Sequence, residues 1–566
     1  MPNICKHSVN FRSLLLRVKI VGCYVNEVPK KYQLTVRTLF LNAQIWSAGE
    51  DIFDGLLVED GIITAVGEAA LASMYDNVID LYGAFLAPAF LDGHAHPLFA
   101  GREAAGPKIN GLDSVEKILR AVHDYSVENI DELWIIGGAY EAAIIEGGYF
   151  DAHWLDAVVS DRPVVLHAVD HHTIWVNSMA LEIAGITADT KDPDGGSIAR
   201  RADGTPQGTL REPEAMALIL DKAPLDNIHS DVAAIARASA AYLDAGVTAA
   251  IDSWVEKEMA LAYLEAAKIG ELKVAVNLSF LATPTTWRTK LEEFNGFRKE
   301  FASLPDPTLV LANSIKFLAD GALSAGTALL SEPYIDNPNS SGIKIWEDDE
   351  LVDAMVTFDG LGYQVHIHAI GDAAVKQGLD AIEAMIKVNP LWDRRPVIVH
   401  AQLIHEDDLP RFKQLGVIAN IQPLWCYLDP MNKDLILPRI GQSRNDRQYR
   451  LRTMLNNGAT IAFGSDWPVT SEIPLLALAV PIHRTNPTKP RGQGWNLAES
   501  ITMEESLIAY TANVAYQLFR ENERGSLKVG MVADFVLLDR NPLTTEPAEV
   551  ASILIKGVYQ KGIKVR

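Results

Sequence analysis

Cysteine is scarce in this chain: its 566 residues include three, Cys5, Cys23 and Cys426, two of them near the start. That usage excludes a disulfide framework and makes a reducing, cytoplasmic setting the expectation. Long apolar runs are missing as well. The stretch 11–25 is interrupted by Arg12, Arg17 and Lys19 and has no small-residue cleavage site, so it reads as neither signal peptide nor membrane span. Residues 1–37 are expected to be an extension ahead of the fold. Basic charge is in deficit, with 50 Lys and Arg against 73 Asp and Glu and a net charge of -23. Binding to nucleic acid needs clustered cations against phosphates, so that class is excluded, and the acidic surplus serves solubility. No repeat or low-complexity tract is evident.

With 48% hydrophobic residues, the chain can bury a large core divided among several domains. From 38 to 86 the pattern is short β, with Glu59-Asp60-Gly61 as a turn, and the same style returns over 521–566. These two ends are expected to fold together as a composite β-sandwich. Between them, apolar strand-like runs alternate with helical patterns, which is the sequence form of a parallel α/β architecture. Eight runs can be counted: 85–96, 247–253, 274–281, 314–320, 364–368, 397–400, 417–421 and 460–466. Eight parallel strands predict a (β/α)8 TIM-like barrel over 87–97 and 236–520, with its site at the strand C-terminal ends. The stretch 98–235 is too long for one βα connection and reads as an inserted α/β cap subdomain over the barrel mouth.

The chemistry-bearing residues stand at the ends of these runs. Asp92-Gly93-His94-Ala95-His96 puts two imidazoles two residues apart, on one face of a strand, where they can grip one ion together. Lys316 stands on the fourth run, and His368 ends the fifth, His400 the sixth and Asp466 the eighth. Converging on one mouth, these residues suit zinc or a similar divalent ion. Lys316 repels a metal unless CO2 adds to it as a carbamate, which would turn it into an anionic bridge between two ions. The plainer reading pairs it with Asp320 or a distant carboxylate. His366 shares a face with His368 but lies deeper, and is expected to hydrogen-bond behind the ligands. Taken singly, His400 could be a buried core histidine and Asp466 a helix N-cap. Trp175, Trp425 and Trp467 could line an apolar pocket or pack the core.

These residues, in this order, resemble the amidohydrolase superfamily, in its amidohydrolase-3 branch of YtcJ-like proteins. The resemblance runs from about residue 38 to the end. It also rests on Asp170-His171-His172-Thr173-Ile174-Trp175-Val176-Asn177-Ser178, Lys316-Phe317-Leu318-Ala319-Asp320-Gly321, His368-Ala369-Ile370-Gly371-Asp372 and Tyr510-Thr511-Ala512-Asn513. It implies a metal-dependent hydrolase in which His94, His96, Lys316, His368, His400 and Asp466 bind one or two divalent ions, zinc first among them, with the lysine carboxylated in binuclear members. Hydroxide on the metal would attack a carbonyl carbon. Asp466 would move the proton to the leaving nitrogen, and His172 would help hold the oxyanion. Asp170 and Trp175 would join Trp425 and Trp467 around the substrate, whereas Asn177 and Ser178 read as a helix cap. The implied reaction is hydrolysis of a non-peptide C–N bond, most simply the amide of a small N-substituted amide. The competing readings are a catalytically silent regulatory or binding barrel, and a deaminase or esterase on the same fold. The expected partner is a small-molecule substrate, with no nucleic acid and no membrane. A homodimer is the assembly left open.

Overall fold

Eight short strands, nearly all of their residues buried, run parallel around the centre of the protein: β1 (Phe90–Ala95), β2 (Val247–Val255), β3 (Ala275–Leu281), β4 (Val310–Leu318), β5 (Gln364–Ala369), β6 (Val397–His400), β7 (Ile418–Ile421) and β8 (Thr460–Phe463). The structure is a computed structural model and describes residues 36–566 except 170, 194, 224–226 and 491. Residues 1–35 of the expected extension, like Cys5 and Cys23, therefore lie outside the described residues. Each neighbouring pair from β1 to β8 is a parallel ladder. Helices such as Lys257–Ile269, Asp348–Gly360 and Asp372–Val388 fill the crossovers, as parallel pairing requires. Past the strand ends, β1 and β8 are tied by main-chain bonds from Asp466 N to His94 O (2.7 Å) and from His96 N to Trp467 O (2.7 Å). The last seam of the barrel is thus closed at the histidine pair.

The floor of the barrel is plugged by the C-terminal helix Ala512–Gln517. Val514, Ala515 and Leu518 pack there against Leu91, Ile251, Val397, Val399 and Ile418.

Both chain ends meet in one mixed eight-stranded sheet, in which Phe85–Pro88 pairs with Arg37–Ile45 on one side and with Phe535–Leu538 on the other. The sheet curls about a core of Phe40, Ile45, Leu56, Leu86, Phe535 and Tyr559, which makes it the composite β-sandwich. This corrects one expectation. The apolar run 85–96 is two strands: Phe85–Pro88 belongs to the sandwich, Ala89 interrupts the strand, and Phe90–Ala95 belongs to the barrel. Continuous hydrophobicity hid the break because both pieces are buried on both faces.

Between β1 and β2 the chain builds a separate five-stranded sheet from Ile135–Tyr140, Val164–Ala168, Thr173–Val176, Ser197–Arg200 and Pro206–Arg211. On either side of it, helix Pro97–Glu103, which leaves β1, is tied to helix Ile228–Asp244, which leads into β2, by Arg102, whose guanidinium meets the buried Asp231 carboxylate at 2.8 and 3.0 Å. Among the described residues, no helix is long and apolar enough to cross a membrane.

In the sandwich core, the Phe535 ring meets Phe40 edge-on at 5.1 Å and stacks on Tyr559 at 4.5 Å, and Phe535 is fully buried. Phe535→Ala should therefore lower stability by about 3–5 kcal/mol, the usual cost of such a cavity. A urea unfolding midpoint equal to that of the wild type would show that the sheet does not depend on this cluster.

Candidate metal centre

Strand β1 ends in the two histidines, and both face the loop after β8. The Nε2 atoms of His94 and His96 lie 3.3 and 3.2 Å from a single oxygen of Asp466. One ligand atom from each of the three falls within 4.8 Å of the others, a donor set of two imidazoles and a carboxylate. His368 and His400 stand across the same mouth, with ring centroids 4.6 Å apart, and His400 is 5.3 Å from His94. Lys316 is buried on β4, beside His366 in the strand register, and its charge acts on His94, His366, His368 and His400. The structure therefore brings all six expected ligands to one mouth. Asp320 is not the lysine's partner. Its carboxylate instead accepts from the main-chain N–H groups of Leu329, Ile370 and Gly371 at 2.8–3.0 Å, fastening the β4 loop to β5.

Hydrogen bonds at the back of each ring select its tautomer. His400 Nδ1 donates to Gln422 Oε1 at 2.7 Å, which leaves the lone pair on Nε2. His368 Nε2 donates to Gly321 O at 3.2 Å, which leaves it on Nδ1. His94 Nδ1 lies 2.9 Å from His366 Nε2, so His366 stands behind a ligand as its depth in the strand suggested. Burial and the neighbouring lysine charge hold His94, His366 and His368 well below the usual imidazole range. Burial takes His400 to about 4, with Asp466 opposing and Lys316 adding to the effect. Burial alone would raise Asp466, but His94, His96 and His400 outweigh it and keep the carboxyl ionised. Burial also pulls the Lys316 amine down to about 7, against the attraction of Asp466. Neutral imidazoles beside an ionised carboxylate are what a divalent ion needs, so these residues fit a metal. His400 (φ 70°), Ala401 (φ 42°) and Asp466 (φ 57°) all adopt left-handed backbone conformations that side chains disfavour, a strain typical of functional positions.

The cap lowers two histidines toward this mouth. His172 Nδ1 is 2.8 Å from Glu212 Oε2, and the other Glu212 oxygen accepts from Thr327 Oγ1 at 3.1 Å, so cap and β4 loop share one contact. His171, Glu103 and Glu212 were not anticipated from the sequence. His171 Nε2 lies 3.2 Å from Glu103 Oε1 on helix Pro97–Glu103, and the His171 ring is close enough to feel His96 and Asp466. The available signals were the doubled histidine and a Glu one helical segment after His96. Asp170 lies outside the described residues. Asn177 caps helix Ser178–Ala184, its side chain accepting from Ala180 N at 3.0 Å, as read from the sequence.

Of the three tryptophans, one is a correction. Trp175 lies inside the cap, fully buried against Tyr140, Phe150 and Trp154, with its indole N–H donated to Asp151 O at 3.0 Å. Strand Thr173–Val176 is covered on both faces, so a tryptophan on it goes into the cap core and not toward the substrate. Trp425 stacks flat on His400 at 5.2 Å, and Trp467 is half-buried against Tyr242.

A parallel eight-stranded barrel with such a donor set at its C-terminal mouth defines a metal-dependent hydrolase. The chain belongs to the amidohydrolase family, whose model matches residues 77–565, and it is a hydrolase acting on carbon–nitrogen bonds. It is 31% identical over 506 residues to Protein LONG AFTER FAR-RED 3 of Arabidopsis thaliana, covering 86% of this chain and 84% of that one. It is 30% identical over 535 residues to the putative amidohydrolase YtcJ of Bacillus subtilis (strain 168), covering 90% and 96%. At greater distance, the N-substituted formamide deformylase of Arthrobacter pascens is 25% identical over 545 residues, covering 92% and 96%. The crystal structure of an uncharacterized metal-dependent hydrolase from Pyrococcus furiosus superposes with a TM-score of 0.69 at 26% identity, covering 90% of this chain and all of that one.

Glu103 allows a test of how cap and barrel are coupled. Burial raises its carboxyl from 4.5 to about 8. A carboxyl neutral in the fold but ionised in the unfolded chain contributes stability that is fully present below pH 4.5 and lost as pH rises toward 8. Glu103→Gln, neutral throughout, should flatten the fall of stability across that window by up to ~1.4 kcal/mol per pH unit. Denaturation at a series of pH values checks this, and an unchanged slope would assign the dependence to another group.

Proposed function

We propose that this hydrolase cleaves the amide of a small N-substituted amide at the mouth formed by His94, His96, Lys316, His368, His400 and Asp466. The observation that carries the reading is the convergence of His94, His96 and Asp466 on one point, with neutral imidazoles around it and the His172–Glu212 pair lowered from the cap. Zinc is the ion these nitrogen and oxygen donors suit best. A divalent ion held here supplies Lewis acidity, which brings the pKa of a coordinated water from 15.7 toward ~7 and polarises a carbonyl.

The chain's own residues supply the rest. Asp466, ionised and buried, takes a proton from the attacking water through its carboxylate and returns it to the departing nitrogen, so that the C–N bond breaks as the N–H bond forms. The Glu212 carboxylate accepts from His172 Nδ1 and orients the ring, which in its protonated form donates from Nε2 to the developing oxyanion. Lys316 reacts with CO2 as the free base that burial favours. A new N–C bond forms, one proton leaves, and the resulting carbamate replaces a cation with an anion suited to bridging two ions. Trp425 and Trp467 flank the substrate's N-substituent. The deformylase of Arthrobacter pascens, by its name, acts on such a bond, which makes N-formyl amines the first substrates to try.

The experiment is metal content per chain by mass spectrometry on protein purified without chelator, with turnover of N-formyl and N-acetyl amines measured on the same sample. Two zinc equivalents with amide turnover support the reading, whereas absent turnover with metal loaded would overturn it. Asp466→Asn should keep most of the metal and lower kcat by about 10²–10⁴, the usual scale of general acid–base catalysis. Unchanged turnover would remove Asp466 from proton transfer. Lys316→Ala should lose one ion of a pair, and full metal content with full rate would end the carbamate idea.

A further inference from the structure

Beneath the mouth, three buried amide side chains stand end to end. Gln517 Nε2 donates to the main-chain oxygen of Gly93 at 2.6 Å, and Asn420 Nδ2 donates to Gln517 Oε1 at 2.9 Å. Gln422 Nε2 donates to Asn420 Oδ1 at 3.1 Å, and Gln422 Oε1 receives His400 Nδ1 at 2.7 Å. The three amides are fully buried and His400 is 2% exposed, so water does not compete for these bonds.

An amide can be turned end for end, so each of these contacts alone is ambiguous. The first partner removes the ambiguity, because a main-chain carbonyl only accepts. Gln517 must present its NH2 to Gly93, hence its oxygen to Asn420. Asn420 must then present NH2 to Gln517 and oxygen to Gln422, and Gln422 must present its oxygen to His400. Only a protonated Nδ1 satisfies that oxygen.

We propose that this relay of Gln517, Asn420 and Gln422, anchored on Gly93, fixes His400 as the Nδ1–H tautomer and so reserves its Nε2 lone pair for a divalent ion. The three amides are positioning residues for metal binding. Two glycines make room for them. A Cβ at Gly93 would sit 2.4 Å from Asn420 Nδ2, and one at Gly464 would sit 2.8 Å from Asn420 Oδ1. Gln517 enters from helix Ala512–Gln517 on the barrel floor, so the docking of the C-terminal segment is transmitted to a ligand on β6. The proposal rests on the reading of His400 as a ligand, and its test separates the two.

The full-length chain is prepared with Gln517→Leu, which keeps volume but removes both ends of the first amide. Zinc affinity is measured by competition with a chromophoric chelator. Removing such support behind a ligand is expected to weaken binding by about 10–100-fold. In parallel, long-range proton–nitrogen spectra of ¹⁵N-histidine-labelled, zinc-free protein report the tautomer, with the His400 signal assigned by its loss in His400→Gln. The wild type should show Nδ1–H and Gln517→Leu a shift toward Nε2–H. Gln364→Leu is the control, since Gln364 Nε2 bonds the main-chain oxygens of Gln517 and Arg395 on the same floor but stands outside the relay. It should leave both readouts unchanged. Equal losses in the two variants, or an unaltered tautomer and affinity in Gln517→Leu, would overturn the relay. If Gln517→Leu does not fold, Gln422→Met at the far end must show the same tautomer shift, and retention of Nδ1–H there has the same meaning. Wild-type zinc affinity in His400→Ala would sink the ligand reading, while the spectra of the zinc-free protein still decide whether the relay sets the tautomer.

Discussion

A buried carboxylate, Asp92, holds the barrel's last seam. It accepts from Ser465 N (2.9 Å), Ser465 Oγ (2.5 Å), His94 N (3.3 Å) and the Tyr242 hydroxyl (3.1 Å), with burial raising its pKa to about 6. These bonds join the end of β1 to the loop after β8, where no strand ladder among the described residues does so. Removing such an acceptor would leave several buried donors without a partner, a cost well above that of one ordinary hydrogen bond. The geometry of the mouth depends on it, because His94 and His96 follow Asp92 by two and four residues and Asp466 follows Ser465 by one. Whatever holds Asp92 to Ser465 holds the ligands to each other.

Outward from that seam the site is organised by depth. His94, His368 and His400 are kept neutral by burial and by the lysine among them, and each is turned by a partner behind it: His366 for His94, Gly321 O for His368 and Gln422 for His400. The left-handed backbone at His400 and Asp466 is strain that the surrounding ladders and the plugged floor can sustain. The cap adds polar groups from the opposite side. Glu212 itself has a left-handed backbone (φ 66°), and its N–H bonds His172 O at 2.8 Å while its carboxylate bonds the same residue's ring. His172 is therefore gripped at two points and presented as a rigid element.

Much of this was legible in the order of residues. Strand ends in a parallel barrel all face one mouth, so His94, His96, His368, His400 and Asp466 could be read from the ends of four apolar runs, and Lys316 from its place on a fifth. His366 was placed behind the ligands by its depth in a strand with period two. Other features gave no such signal. Trp175 stands on a strand buried on both faces, where alternation carries no information about what a side chain meets. The run 85–96 counts as one barrel strand in the sequence even though the sandwich is bounded there at 86; its first seven residues are all apolar, so nothing in them marks Ala89 as the break between two strands.

Local chemistry in the sequence therefore determined the barrel, the inserted cap, the pairing of the two chain ends and the set of candidate ligands. These follow from periodicity and from which side chains can hold a metal, and both are properties of short segments. Tertiary structure alone decided what turns His400 and what closes the seam: Gln517 lies 424 positions from Gly93 and 97 from Asn420, and Ser465 lies 373 from Asp92. Hydrogen bonds over such separations leave no pattern in a single chain, because their direction depends on which donors and acceptors meet once the barrel has closed.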